Sequence, residues 1–202
     1  MKKVLLTIAI VAAFATSSMA QTAVSVGYLS NKQTSVTDTQ FNGFYVGLDY
    51  SIPISGELKL TPGIYYDMLM SSKTASISIV SGEAKTTEHY VAVPVNISYG
   101  ISLGDAMKVF LYAGPTFSYG IASKVDGALN IAGFDFGKSG DLYGENSTYD
   151  RFNVFIGGGI GFEFNQKVRF TAGYNYGCFD RNSADNLTLT ENQIHAGISF
   201  LF

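Results

Sequence analysis

Cysteine is nearly missing from this chain. Cys178 is the one thiol among 202 residues, so no intramolecular disulfide can form and a disulfide-stapled scaffold is excluded. Charge is scarce too, at 14% of residues. Residues 21–202 hold 11 basic and 16 acidic side chains, a net charge of −5, and that balance argues against nucleic acid as a partner. Long apolar runs are also lacking. Beyond residue 20 no stretch reaches the roughly 18 consecutive apolar residues of a transmembrane helix.

The exception is at the N-terminus. Lys2 and Lys3 precede an apolar segment, Val4 to Ala15, and Ser18-Met19-Ala20 supplies the small residues that a signal peptidase requires. The segment is too short to span a bilayer as a helix, which takes roughly 20 residues. Residues 1–20 are therefore expected to be a cleaved signal peptide, and residues 21–202 a single exported domain. The residue directly after the expected cleavage point is Gln21, not the cysteine that carries a lipid anchor, so a lipid anchor is not expected.

What the chain does have is glycine (22 residues) and aromatic rings (15 Phe and 13 Tyr), arranged with a period of two. Such alternation marks strands whose two faces meet different surroundings. Phe44, Val46, Leu48, Tyr50 and Ile52 oppose Tyr45, Gly47, Asp49 and Ser51. Leu58, Leu60, Pro62, Ile64, Tyr66 and Met68 oppose Lys59, Thr61, Gly63, Tyr65 and Asp67. The same pattern recurs over 90–99, 109–119, 152–163, 168–177 and 193–202, and less strongly over 23–29. Eight strands result, each near the roughly 9–11 residues that cross a bilayer when tilted. Their connections alternate: 30–42, 69–88, 122–149 and 178–190 are long and polar, whereas 53–56, 101–107 and 164–166 are short. An all-β, eight-stranded antiparallel up-and-down transmembrane barrel accounts for both rhythms, with long loops outside and short turns in the periplasm.

Alternation alone would also suit a soluble, lipocalin-like barrel, in which the apolar face points inward. The composition of the faces decides between them. One face is almost wholly apolar, with Tyr99, Tyr119, Phe162 and Tyr176 near strand ends, where an interfacial aromatic girdle sits. The other mixes Gly, Ser, Thr and Asn with Asp49, Lys59, Asp67, Glu163, Arg169 and His195. A soluble barrel that exposed the first face would carry far more than the few hundred Å² of apolar patch that monomers tolerate. The six polar residues are thus expected to form a lumenal network. An eight-stranded barrel is just wide enough for side chains to fill, which favours a salt-bridged plug over a solute path.

Several segments resemble the PorT-like outer-membrane β-barrel family. Val93-Pro94-Val95 resembles its "IPL" segment, Ala113-Gly114-Pro115 with Phe117 and Tyr119 its "GP" strand, and Gly157 to Phe164 its Gly-rich sixth strand. Tyr174-Asn175-Tyr176-Gly177 is similar to its "Y-x-Y-G" before the last loop. Terminal Phe202, with Phe200, looks like the signal read by the barrel-assembly machinery. The resemblance spans nearly all of residues 21–202. It implies an outer-membrane barrel in contact with lipid and lipopolysaccharide, and no particular activity.

Chemical motifs add little. Gly137-Lys138-Ser139 would need a glycine at 132 to begin a phosphate loop, and that residue is Ala132. The loop acids Asp126, Asp135, Asp141, Glu145, Asp150, Asp180 and Asp185 show no cation-ligand spacing. Outer-membrane hydrolases generally use a His beside a Ser or an acid, and only His89 and His195 are available here. No catalytic residue, cofactor or metal site is expected. The expectation is a non-enzymatic outer-membrane barrel with a structural or surface-interaction role through its long loops. A narrow solute channel is the alternative, and a lipid-modifying or proteolytic enzyme a further one.

Overall fold

The computed structural model describes residues 21–35, 38–77, 80–131, 134–141, 143, 150–181 and 188–202; the expected signal peptide lies outside them. The strands are β1 (Gln21–Thr34), β2 (Thr39–Ser55), β3 (Leu58–Ile77), β4 (Val80–Ser102), β5 (Met107–Ile131), β6 (Phe134–Asp141), β7 (Phe152–Phe164), β8 (Val168–Gly177) and β9 (Thr190–Leu201). Eight of them close into an antiparallel ring, in which β5 pairs with β4 and β7 while β9 returns to β1. Closure leaves no edge within the ring, so its backbone groups are satisfied strand to strand, as hydrocarbon requires.

Alternation assigns the two faces as expected. Val26, Leu48, Ile64, Ile97, Leu111, Ile156, Phe170 and Ile194 are exposed on the outside. Ser25, Asp49, Asp67, Ser118, Glu163, Arg169 and Ser199 are buried inside. The short connections lie at one rim. There the chain reverses between β7 and β8 through Asn165 and Gln166, both at positive φ (49° and 55°), with Lys167 N donating to Phe164 O at 2.9 Å. Two consecutive positive φ values match the twist of the flanking strands.

The lumen is filled by rings that glycines admit. A Cβ on Gly47 would lie 1.6 Å from the Tyr65 ring, and one on Gly161 would lie 2.1 Å from Cζ of Phe110. Glycine at these positions is what lets each ring cross the bore beside the neighbouring backbone.

At the opposite rim the structure departs from the expected loops. The segments 69–88 and 122–141 are largely strand, not irregular connection. β3 pairs with β4 out to Ile77↔Val80, β4 with β5 out to Val80↔Ile131, and β5 with β6 over Lys124↔Asp141 to Ile131↔Phe134. β2 leaves β3 after Asn42↔Met70, so β3 to β6 continue past the ring as a four-stranded extension. At ~3.3 Å per residue, eight residues extend it by about 25 Å. Ser72 and Lys73, adjacent on β3 and so on opposite faces, are both polar and exposed, which hides the strand period. A bulge marks where the extension begins: Tyr90 pairs with Gly120 and His89 with Ala122, so Ile121 is unpaired and the inward phase of β5 shifts by one residue.

Candidate functional site

The inward polar side chains form a column from the short-turn rim to the long-loop rim. At the turn rim Lys108 Nζ on β5 donates to Glu57, which sits in the β2–β3 turn. This ammonium holds the Glu57 carboxyl below its usual pKa. Half-buried Lys59 stands nearby. One level further in, Arg169 and Glu163 are cross-strand partners on β8 and β7. Nη2 and Nε of the arginine donate to Oε2 at 2.9 and 3.3 Å, and the guanidinium lies 5.3 Å over the Phe110 ring. The pair is buried, so removal of either partner would strand a charge.

Midway, Asp49 on β2 accepts hydrogen bonds from Ser25 Oγ and Tyr65 OH, both at 2.5 Å. Across the bore Tyr112 OH and His195 Nε2 are 2.7 Å apart. Asp67, buried on β3 between Tyr45 and Tyr90 of the adjoining strands, lines a cavity of about 120 Å³. Tyr45, Asp49, Tyr65, Ala92, Tyr112 and His195 share its wall, which runs down to Lys59 and Lys108 at the turn rim.

The long-loop rim is closed by a cluster built around Arg181, from the β8–β9 connection. Its side chain is fully buried. Nη1 donates to Glu191 Oε1 at 2.6 Å and to Tyr90 OH at 2.9 Å. Nη2 donates to Tyr143 OH at 3.0 Å and to Asp150 O at 2.8 Å, and Nε to Asp150 O at 2.9 Å. Gln33 and Asn153 also donate to Glu191, at 2.9 and 3.1 Å, and Tyr90 OH donates to the buried Glu88. One guanidinium thus ties β4, β9 and the connections before β7 and after β8 into a cap. This charge-assisted fan of donors is the most connected polar arrangement among the described residues.

All six lumenal residues singled out in the sequence point inward. The structure brings Glu163 and Arg169 together. It does not bring His195 to Glu163 or Asp49: that ring is bonded to Tyr112 instead. His89 faces outward, its Nδ1 2.6 Å from Tyr66 OH. Neither histidine is bonded to a serine or a carboxylate among the described residues, and no group of three or more His, Cys, Asp and Glu there could hold a metal. At the C-terminus Phe200 faces outward, and Phe202 is exposed at the turn rim with its amide donating to Thr22 O at 2.8 Å. Of the loop residues considered, Ala132, Glu145 and Asp185 lie outside the described residues.

Sequence reasoning missed Arg181 and Glu191, whereas Tyr143, one of the loop residues expected to touch a partner or cap the barrel, does take part in the cap. One signal was available: the strand phase places Glu88 and Glu191 inward at the same rim, and two inward carboxylates call for a cation.

A closed ring with an apolar exterior and a polar, packed bore matches a known class. The sequence model of the outer membrane protein beta-barrel domain matches residues 12–180. The chain belongs to this family. It resides in the outer membrane, with its apolar band against lipid, so the turn rim is periplasmic and the long-loop rim extracellular. No curated protein matches the sequence. Among solved structures, the barrel is similar to Ail, the attachment invasion locus protein of Yersinia pestis, in complex with the heparin analogue sucrose octasulfate (13% identity, TM-score 0.48, 91% of this chain and 99% of that one). It is also similar to Neisserial surface protein A (14% identity, TM-score 0.48, 90% and 97%) and to the outer membrane enzyme PagL (12% identity, TM-score 0.44, 90% and 98%). Neither role nor ligand follows from these likenesses.

Proposed function

We propose that this outer-membrane barrel is a non-enzymatic surface-interaction protein that works through its extracellular extension, with the lumen serving as a salt-bridged plug. The observation that carries the reading is the continuation of β3 to β6 beyond the ring. An ordered sheet about 25 Å long, attached to a rigid scaffold, is a presentation device, and binding tends to reside on such elements. Ser72, Lys85, Asp126 and Ser139 expose polar side chains along it. The bore supports the second half of the reading. Glu163–Arg169 and Arg181–Glu191 are buried ion pairs near its two ends, and Tyr45, Tyr65, Phe110 and Tyr112 fill much of the space between. Export by cleavage after Ala20, recognition of Phe200 and Phe202 by the assembly machinery, contact with lipopolysaccharide, and the finer PorT-like affiliation complete the proposal.

The test is photo-crosslinking on intact cells, with the crosslinking residue placed in turn at positions 72, 85, 126 and 139. Discrete protein adducts at these positions, and none from a control in the periplasmic turn at Asp105, are expected. Absence of adducts at all four positions would overturn the interaction role. Discrete single-channel openings of the purified barrel in planar bilayers would overturn the plug and favour the channel.

A further inference from the structure

The lumenal carboxylates differ in one respect. Glu57 accepts from Lys108, Glu163 from Arg169, Asp49 from Ser25 and Tyr65, Glu88 from Tyr90, and Glu191 from Arg181, Gln33 and Asn153. Asp67 accepts a hydrogen bond from no described residue, although its side chain is buried, with a residue exposure of only 7%. It lines the central cavity, and that cavity is the place from which a donor can reach it. Buried carboxylates without donors are rare because water must be given up with nothing in return. A second unpartnered atom lies on the same wall: Nδ1 of His195 is buried and makes no hydrogen bond.

We propose that this cavity is a binding site for a small organic ammonium ion, with Asp67 as its counter-ion. Three observations favour that class. The volume of about 120 Å³ accommodates several water-sized groups. The wall is aromatic: Tyr45 and Tyr65 lie with ring centroids 5.3 Å apart and planes tilted by 54°, and Tyr112 stands on the same wall. Ring faces attract an ammonium or its N-methyl groups, and the carboxylate takes the charge-assisted hydrogen bond. A divalent metal fits less well, because the described residues supply no group of three ligating side chains. The lining continues to Glu57, Lys59 and Lys108 at the periplasmic turns, and Arg181 caps the far rim, so the ligand reaches the site from the periplasmic side. This site is separate from the extracellular extension and does not depend on the role given to it.

The test uses the full barrel, refolded into lipid nanodiscs with 13C-labelled tyrosine rings and titrated with methylammonium chloride against sodium chloride at equal ionic strength. Saturable shifts of the Tyr45 and Tyr65 ring signals with methylammonium alone are expected, weakened at least about tenfold by Asp67→Asn. Heat-modifiable migration checks that the variant folds. Should Asp67→Asn not refold, Ala92→Val, which narrows the same cavity, is expected to weaken the response in its place. No saturable shift, an equal response to sodium, or an undiminished response in the folded variant would overturn the proposal.

Discussion

Replacement of Arg181 by alanine is expected to be the most damaging single change at the extracellular rim. The guanidinium is fully buried and donates to Glu191, Tyr90 and Tyr143, and twice to the Asp150 carbonyl. Glu191 is 1% exposed, so the truncation leaves a carboxylate with no route to solvent. Breaking a buried pair from one side costs about 3–5 kcal/mol. Gln33 and Asn153 still donate to Glu191, at 2.9 and 3.1 Å, which places the expected loss near the lower end, about 3 kcal/mol. The control is the double variant Arg181→Ala with Glu191→Gln. It removes the stranded charge, and its cost should fall to about 1–2 kcal/mol, below that of the single change. The assay is urea unfolding of the refolded barrel in lipid vesicles, read as the folded band on unboiled gels. A loss under about 1 kcal/mol for Arg181→Ala, or a double variant no better than the single, would refute the claim that the cap is a coupled ion-pair network.

Other outcomes follow from the same structure. Gly161→Val should destabilise by about 1–3 kcal/mol, since its Cβ would fall 2.1 Å from Cζ of Phe110, and Phe110→Ala should recover part of the loss in the same unfolding assay. Leu111→Arg, at an outward position 65% exposed to the membrane and paired with Tyr99 of the aromatic girdle, should cost about 1–2 kcal/mol in vesicles, between the interfacial and midplane values, while Ser139→Arg on the extension should cost nothing measurable. Lys108 holds the Glu57 carboxyl below its ordinary pKa, so their contact is fully present above that ordinary value and is lost as pH falls through the lowered one. Lys108→Met should return the Glu57 titration midpoint, followed by carboxyl 13C NMR, to the ordinary carboxylate range, and an unchanged midpoint would show that the ammonium is not its cause.

The faces of the ring were legible because two solvents act on alternate residues. Lipid selects Val26, Leu48, Leu111 and Ile156, and the narrow bore selects Ser25, Asp49, Gly161 and Glu163. The glycines facing Tyr65 and Phe110 were legible for a related reason, since a filled bore needs small residues opposite large ones. The extension was not legible. Outside the bilayer both sides of β6 (FDFGKSGD) and of the outer half of β3 lack the lipid that would impose a period of two, so real strands read as polar loops. The Arg181 cap was hidden differently. Its members come from β1, β4, β7, β9 and two connections, and only closure of the ring makes Tyr90 and Glu191 neighbours of a loop arginine. Asp67 was placed in the lumen by its phase, but its want of a donor depends on what the other seven strands put opposite it, which no local pattern encodes.

Electrophoretic mobility of the native protein tests the central claim most directly. Fractionated outer membranes, loaded boiled and unboiled on SDS gels, should give one band that runs faster unboiled, because a ring closed through β1 and β9 keeps its shape in detergent until heated. A protein recovered instead from the soluble periplasm, with no heat-dependent shift, would contradict the assignment of the apolar face to lipid and turn the barrel inside out.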